Sequence, residues 1–288
     1  MSQSSTLTVL SPAKLNLFLH ITGRREDGYH ELQTLFQLLD WGDWLAFTPN
    51  RSGRITLDAP GLDIPLADNL VYRAAGLLQK GTLGAHIAID KRIPAGGGLG
   101  GGSSNAATTL LALNHLWQRG LDQAALQAMG ATLGADVPVF VAGHSAWAEG
   151  IGERLTPVEL PERWYLVIIP GCHVSTGQIF SHLELTRDTS PIKMAAFFEG
   201  YSRNDCQDLV RRLHPEVDDV LSWLAVFAEP RLTGTGACVF AGFEQEAEAR
   251  AVLDQLPDQW TAVVARGLNR SPVLAALDRA LPQIDPQV

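Results

Sequence analysis

Cysteine is scarce in this sequence, and basic residues are outnumbered by acidic ones. The three cysteines among 288 residues, Cys172, Cys206 and Cys238, lie far apart and form no C-x-x-C pair. This usage predicts a reducing compartment and no disulfide framework. The formal net charge of −9 argues against a nucleic-acid or anionic-membrane partner. We therefore expect basic residues to matter locally, where a phosphorylated ligand needs them.

Long apolar runs are missing as well. None approaches the ~18 residues of a membrane span, and residues 1–10 lack the basic and apolar regions of a signal peptide. These absences predict a cytoplasmic protein without a membrane partner. The hydrophobic content of 46% is enough for a large core or two domains, and a charged content of only 18% excludes a disordered polar chain.

Glycine is abundant, and it is concentrated in one loop. An alternating segment at 85–90 predicts a strand before the loop, and helical spacing of Ala106, Leu110, Leu113 and Trp117 predicts a helix after it. Ser103 or Ser104 is the expected N-cap of that helix. The loop consists of Pro94, Ala95, Gly96, Gly97, Gly98, Leu99, Gly100, Gly101, Gly102, Ser103 and Ser104.

This order suits a phosphate group. Glycine permits positive φ and close backbone approach, and the first turn of a helix offers free N–H groups and partial positive charge. A linker or tight turn is the alternative, although such linkers seldom join a strand to a capped helix. No lysine completes a Walker A loop, the dinucleotide fingerprint is weak in so glycine-rich a run, and a His-Arg-Asp catalytic loop is missing.

Two shorter segments carry further candidates. Residues 14–21 alternate as a strand, which places Lys14 and Asn16 on one face; by itself this pattern favours a solvated face. In the segment 134–140, Pro138 suits the first turn of a short helix, and Asp136 is in place to cap it. The periodicity of residues 32–39 fits a helix or a strand.

Strands and helices mix along the chain without a regular βαβ alternation, which predicts an α+β fold. A polar stretch with two prolines at 156–162 indicates a boundary. We expect an N-terminal domain over 1–160 and a C-terminal domain over 161–288, with a ligand site in the cleft between them.

Four segments in order resemble the GHMP family of small-molecule kinases. They are Pro-Ala-Lys-Leu-Asn-Leu at 12–17, the glycine loop, Gly-Ala-Asp-Val-Pro at 134–138 and Thr-Gly-Thr-Gly-Ala at 233–237. Residues 14–19, the Gly-Tyr-His run at 28–30 and the long form of the loop are similar to the branch that phosphorylates a cytidine diphosphate conjugate of methylerythritol. The resemblance implies a two-domain fold, use of ATP and Mg²⁺, and a place in the non-mevalonate route to isoprenoid precursors.

The same resemblance implies roles for individual residues. Asp136 is the expected general base on the substrate hydroxyl, Lys14 keeps it ionised and orients the hydroxyl, and Asn16 supports the same group. The glycine loop is expected to hold the ATP phosphates, with Asn69 on the adenine side. Ser103 or Ser104 could hold Mg²⁺, but no acidic metal ligand can be identified.

Four more residues are expected at the cytosine. Tyr29 stacks on the base, His30 bonds its edge, and Phe180 closes the other side with Thr176 nearby; core positions for Tyr29 and Phe180 are the alternative. Rival interpretations are another GHMP small-molecule kinase, a non-catalytic metabolite sensor on the same fold, and a structural or interaction protein. We expect a monomer or a weak homodimer.

Overall fold

The fold is built on two long antiparallel strands. The computed structural model describes residues 6–62, 64–200 and 202–280. Strand β1 (Leu7–Arg24) pairs with β2 (His30–Asn50), and a charged turn containing Gly28 joins them. The segment 32–39, whose periodicity fits either a helix or a strand, is therefore part of a strand. The strict alternation expected for 14–21 is wrong, because the register shifts between Asn16 and Leu19 and both faces of β1 are buried there.

The remaining strands extend this pair into one sheet. Its order is β3-β4-β2-β10-β7-β9-β8, with β1 and β5 also paired to β2, and β6 paired to β5. Strand β3 runs parallel to β4, and the other pairings between described strands are antiparallel. The strands are β3 (Ile55–Asp58), β4 (Gly84–Asp90), β5 (Ala146–Gly150), β6 (Arg154–Pro157), β7 (Trp164–Ile169), β8 (Arg231–Leu232), β9 (Val239–Phe243) and β10 (Thr261–Leu268).

Helices cover both halves of this sheet, and together with it they confirm the α+β class. None of the described helices has the length and apolar character needed to cross a membrane. They are α1 (Leu70–Leu78), α2 (Gly101–Leu116), α3 (Gln123–Ala131), α4 (Val137–Ala142), α5 (Thr176–Ser181), α6 (Met194–Phe198), α7 (Gln207–Leu213), α8 (Pro215–Leu224), α9 (Glu246–Leu253) and α10 (Pro272–Ala280).

The core consists of three clusters of buried side chains. One joins β2 and β4 to α1, α2, α4 and α10. A second packs α7, α8 and α9 on β7 and β9. The third lies among β1, β2 and β7. Leu110 and Leu113 on α2 are fully buried in the first cluster. Burial of each side chain contributes about 1.5–3 kcal/mol of stability. This packing holds α2 in place, with its first turn beside a cavity.

Candidate active site

A cavity of about 940 Å³ opens beside the glycine loop. Its walls come from β1, the glycine loop with the start of α2, the start of α4, and the segment that enters α5. Apart from Ser104, every site residue predicted from the sequence lines it. The structure thus brings the predicted phosphate, catalytic and base-binding groups to one place.

The glycine loop turns through left-handed backbone at Gly98 (φ 75°) and Gly100 (φ 73°). A Cβ at Gly98 would lie 2.0 Å from the Thr233 carbonyl oxygen, and one at Gly100 would lie 2.9 Å from the Phe140 ring. The predicted positive φ is confirmed. Side chains are excluded here because the loop packs tightly on Thr233 and Phe140, both of which lie far away in sequence.

Helix α2 begins at Gly101, three or four residues earlier than an N-cap at Ser103 or Ser104 predicts. Its N-cap is Gly100, and no side chain caps it. A first turn of α-helix leaves its early N–H groups without intrahelical partners, and here Gly101, Gly102 and Ser103 line the cavity. The predicted strand–loop–helix order therefore ends with the backbone N–H groups and the positive end of α2 at the cavity, an arrangement that can hold an anion.

Ser104 does not belong to this site, which corrects the sequence prediction. Its side chain is fully buried and donates to the Pro12 carbonyl oxygen at 2.6 Å, with Ser11 Oγ at 2.8 Å. The early start of α2 turns Ser104 away from the cavity and against β1. Ser103 is the serine that faces the cavity.

Lys14 and Asp136 form an ion pair at the wall of the cavity, with Nζ and Oδ2 3.4 Å apart. The predicted direct pairing of these distant residues is confirmed. Asp136 occupies the N-cap position of α4, yet its side chain makes no capping hydrogen bond. The capping alternative is therefore wrong, and the carboxylate is held by the lysine instead.

The Lys14 ammonium is buried and has three oxygen partners. Besides Asp136 it donates to Asn16 Oδ1 at 2.5 Å and to the Gly98 carbonyl oxygen at 3.0 Å. Its own backbone N–H bonds the carbonyl of Leu99 at 3.0 Å, so the lysine and the glycine loop hold each other. Burial contradicts the solvated face that the alternation of β1 favours.

Asn16 contacts Lys14 rather than Asp136. Its amide donates to Thr34 Oγ1 at 3.0 Å, which turns the amide oxygen toward Lys14. Its backbone N–H bonds Thr233 Oγ1, and that hydroxyl donates to the Gly98 carbonyl oxygen at 3.1 Å. The Thr-Gly-Thr-Gly-Ala segment at 233–237 thus contacts both the strand that carries Lys14 and the glycine loop.

A second cation at the cavity was not predicted from the sequence. Lys91 lines the cavity, and its Nζ lies 2.9 Å from Asp43 Oδ2. Asp43 is fully buried and accepts from the backbone N–H groups of Arg92 and Ile93, each at 2.7 Å, and from Asn105 at 2.8 Å. One carboxylate therefore ties β2 to both ends of the glycine loop. Nothing near Asp43 in the sequence indicates this contact.

Aromatic and imidazole rings also line the cavity. The His30 and Phe180 rings are stacked, with centroids 5.0 Å apart and an interplanar angle of 26°. Tyr29 is 59% exposed, so a core position is excluded for it. Thr176 shares a hydrogen bond of 2.9 Å with Thr235. Asn69 also lines the cavity, and it caps α1 by accepting from the Val71 N–H at 2.9 Å.

The surroundings of His30 lower the pKa of its imidazole. Burial is the main cause, and the positive charges of Arg187 and Arg24 add to it. The Arg187 Nε donates to His30 Nε2 at 3.1 Å. Arg187 lies in the segment 182–189, for which the sequence does not decide whether there are substrate contacts, and the chain position of an arginine alone gives no signal for its bond to His30.

Comparisons with known proteins agree with this geometry. The family model described as GHMP kinases N terminal domain matches residues 69–144, and the model described as GHMP kinases C terminal matches residues 185–262. The chain belongs to the GHMP kinase family. The resemblance inferred from the four segments is confirmed, and with it the two-domain fold and an ATP-dependent small-molecule kinase.

Similar GHMP kinases are known by sequence and by structure. A protein of Alkalilimnicola ehrlichii named 4-diphosphocytidyl-2-C-methyl-D-erythritol kinase is 57% identical over 93% of each chain. One of Hahella chejuensis with the same name is 53% identical over 96% of this chain and 98% of its own. A crystal structure titled 4-(cytidine 5'-diphospho)-2C-methyl-D-erythritol kinase matches with a TM-score of 0.79, at 36% identity over 91% of this chain and 99% of that chain.

More distant GHMP kinases share the fold alone. The mevalonate kinase of Methanococcus jannaschii matches with a TM-score of 0.66 at 16% identity, over 93% of this chain and 99% of its own. The region matched by the N-terminal model supplies Asn69, the glycine loop and Asp136 to the cavity. The region matched by the C-terminal model supplies Gly234 and Thr235. Both parts of a GHMP kinase therefore contribute to one site.

Proposed function

We propose that this GHMP kinase transfers the γ-phosphoryl group of ATP to the 2-hydroxyl of 4-diphosphocytidyl-2-C-methyl-D-erythritol, giving the 2-phosphate and ADP. The observation that carries the proposal is a single cavity lined by the Lys14–Asp136 pair, the glycine loop and the stacked rings of His30 and Phe180. The relatives named above support the choice of substrate. The stacked rings support it too, because a cytosine base needs a stacking surface, whereas mevalonate and homoserine carry no base.

Asp136 is the general base in this proposal. Its carboxylate is 35% exposed at the cavity wall, so it can reach a hydroxyl and accept its proton. Lys14 stabilises the negative charge at 3.4 Å and orients the hydroxyl. Asn16 fixes the direction of the ammonium by accepting from it at 2.5 Å. Catalysis is then mostly positioning and charge stabilisation, as phosphoryl transfer requires.

The phosphates of ATP bind along the glycine loop from Pro94 to Ser103, against the first turn of α2. This region fits them because backbone N–H groups at the start of a 16-residue helix and the cations Lys14 and Lys91 line the same cavity. Asn69 lies on the adenine side. When bound, ATP supplies the phosphoryl group and Mg²⁺ neutralises part of its charge.

The donor set fits a Mg²⁺ ion carried by the nucleotide. Within residues 6–62, 64–200 and 202–280 no group of three or more His, Cys, Asp or Glu side chains could cage a metal ion. Mg²⁺ bound with substrate phosphates needs only one or two protein ligands. Ser103 faces the cavity beside the phosphate region and is the ligand that we assign. Ser104 is excluded by its burial.

The cytosine binds between Tyr29 and Phe180, with His30 at its edge and Thr176 nearby. A stacked base gains about 1–3 kcal/mol from aromatic surfaces. We place the reaction in the cytoplasm, within the non-mevalonate route to isoprenoid precursors, and expect a monomer or weak homodimer. Three free cysteines and a net charge of −9 support a reducing compartment without nucleic-acid or membrane partners.

The test is ADP release with and without the acceptor. The cytidyl substrate should stimulate ADP release strongly, and mevalonate, homoserine or a sugar should not. Asp136→Asn serves as the matched inactive control. Turnover of one of those other acceptors in preference to the cytidyl substrate would make the chain another small-molecule kinase. ATP binding without turnover of any acceptor would make it a sensor.

A further inference from the structure

Arg187 is held in one orientation by four hydrogen bonds. Besides the bond of its Nε to His30 Nε2 at 3.1 Å, its Nη1 donates to the Leu185 carbonyl oxygen at 3.0 Å. Its Nη2 donates to the carbonyl oxygens of Phe180 at 2.9 Å and His182 at 2.6 Å. Three backbone carbonyls therefore aim the guanidinium at the imidazole.

This contact decides where the hydrogen of His30 lies. A guanidinium donates only and does not lose its proton in proteins. His30 Nε2 must therefore accept, and in a neutral imidazole the hydrogen then belongs to Nδ1. Burial and the charges of Arg187 and Arg24 lower the pKa of His30, which keeps the ring neutral. Among the described residues no partner occupies Nδ1.

We infer that Arg187 is a positioning residue that holds His30 in the Nδ1–H tautomer, so that the cavity presents a donor to the base of the substrate. This inference deepens the proposed function and rests on it. N3 of cytosine is an acceptor, whereas N3 of uracil carries a hydrogen. A fixed N–H donor on His30 pairs with N3 of cytosine, but it faces a second N–H donor at N3 of uracil. A buried donor without a partner costs binding free energy.

The same guanidinium also positions the stacking ring. Its bond to the Phe180 carbonyl oxygen holds the end of α5 (Thr176–Ser181) beside His30. The two rings stack at 5.0 Å, so one side chain orients both the edge donor and the neighbouring face. Loss of Arg187 should therefore weaken base selection more than it weakens ATP binding.

The direct test is the protonation of the His30 ring nitrogens in ligand-free protein. Long-range ¹H–¹⁵N NMR of the full chain separates nitrogens that carry hydrogen from those that do not, and a His30→Gln spectrum assigns the signals. Wild type should carry hydrogen on Nδ1 and none on Nε2. Arg187→Met should shift the ring toward the Nε2–H tautomer, and Arg187→Lys, which keeps a donor, should largely restore wild type.

Arg212→Met is the matched control. Arg212, on α7, pairs with Glu184 at 2.8 Å in an exposed setting, so this variant removes an arginine that bonds the segment next to Arg187 without touching His30, and the tautomer should not change. Hydrogen on Nε2 in wild type, or an unchanged tautomer in Arg187→Met, would overturn the inference.

Kinetics supply the second readout. Arg187→Met should lower the preference in kcat/KM for the cytidyl substrate over a uridyl analogue by about tenfold, the size expected for one hydrogen bond to a charged or buried group. The KM for ATP should stay near wild type. An unchanged preference would count against the inference. No turnover by wild type would refute the proposed function and with it the base selection, whereas the NMR spectrum decides the tautomer in either case.

Discussion

Asp136→Asn separates the catalytic carboxylate from a structural one. The change keeps the size of the side chain and its ability to cap a helix, and it removes the negative charge 3.4 Å from Lys14 Nζ. At an effective dielectric constant of about 20, two unit charges at this distance attract by roughly 5 kcal/mol. Because Asp136 is 35% exposed, water screens much of this energy.

The stability cost of this variant should be small. Lys14 keeps Asn16 Oδ1 and the Gly98 carbonyl oxygen as partners, so its ammonium is not left alone in the interior. We expect a loss of about 1–2 kcal/mol, which lowers Tm by only a few degrees in a chain of this size. The turnover number should fall by roughly 10²–10⁴, because no base accepts the hydroxyl proton.

The assay is steady-state ADP release at saturating ATP and cytidyl substrate, with Tm measured on the same samples. Asp122→Asn is the matched control. Asp122 caps α3 by accepting from the Ala125 N–H at 2.8 Å, and Asn caps as well as Asp, so that variant should be silent. A near-wild-type turnover number in Asp136→Asn would refute the role of the base. Lys14→Met should give a similar loss, and the double variant should be far from additive.

Three other predictions concern the loop, the base and alkaline pH. Gly100→Ala should weaken ATP binding more than Gly120→Ala, because both glycines have positive φ but only Gly100 meets Phe140 and Lys14; equal nucleotide affinities by calorimetry would contradict this. His30→Ala should raise the KM for the cytidyl substrate about tenfold or more and leave that for ATP nearly unchanged, and equal changes in both constants would rule out base contact. Burial raises the pKa of three groups to about 12. The folded state therefore keeps protons that the unfolded state loses above pH ~8.5, and the free energy of unfolding should fall as pH rises from there. A Tm that does not depend on pH up to about 10.5 would contradict this prediction. These groups are Tyr165, Cys206 and Cys238.

Much of the local structure could be predicted from neighbouring residues. The strand before the glycine loop and the helix after it depend on a periodicity that spans a few positions. The start of α2 could not be predicted in this way. Serines usually cap helices, but here Gly100 takes the N-cap and Ser104 bonds Pro12 on β1, a contact that exists only after β1 and α2 pack.

The sequence determined which chemical groups are present and, through four ordered segments, which family they resemble. Tertiary structure decided which groups meet. The Lys14–Asp136 pair, the Asp43–Lys91 pair and the bond from Arg187 to His30, 157 residues apart, each join distant segments. The burial of Lys14 and Asp43 contradicts what local patterns favour for charged residues, because the free energy of a buried charge depends on partners that only the folded chain supplies.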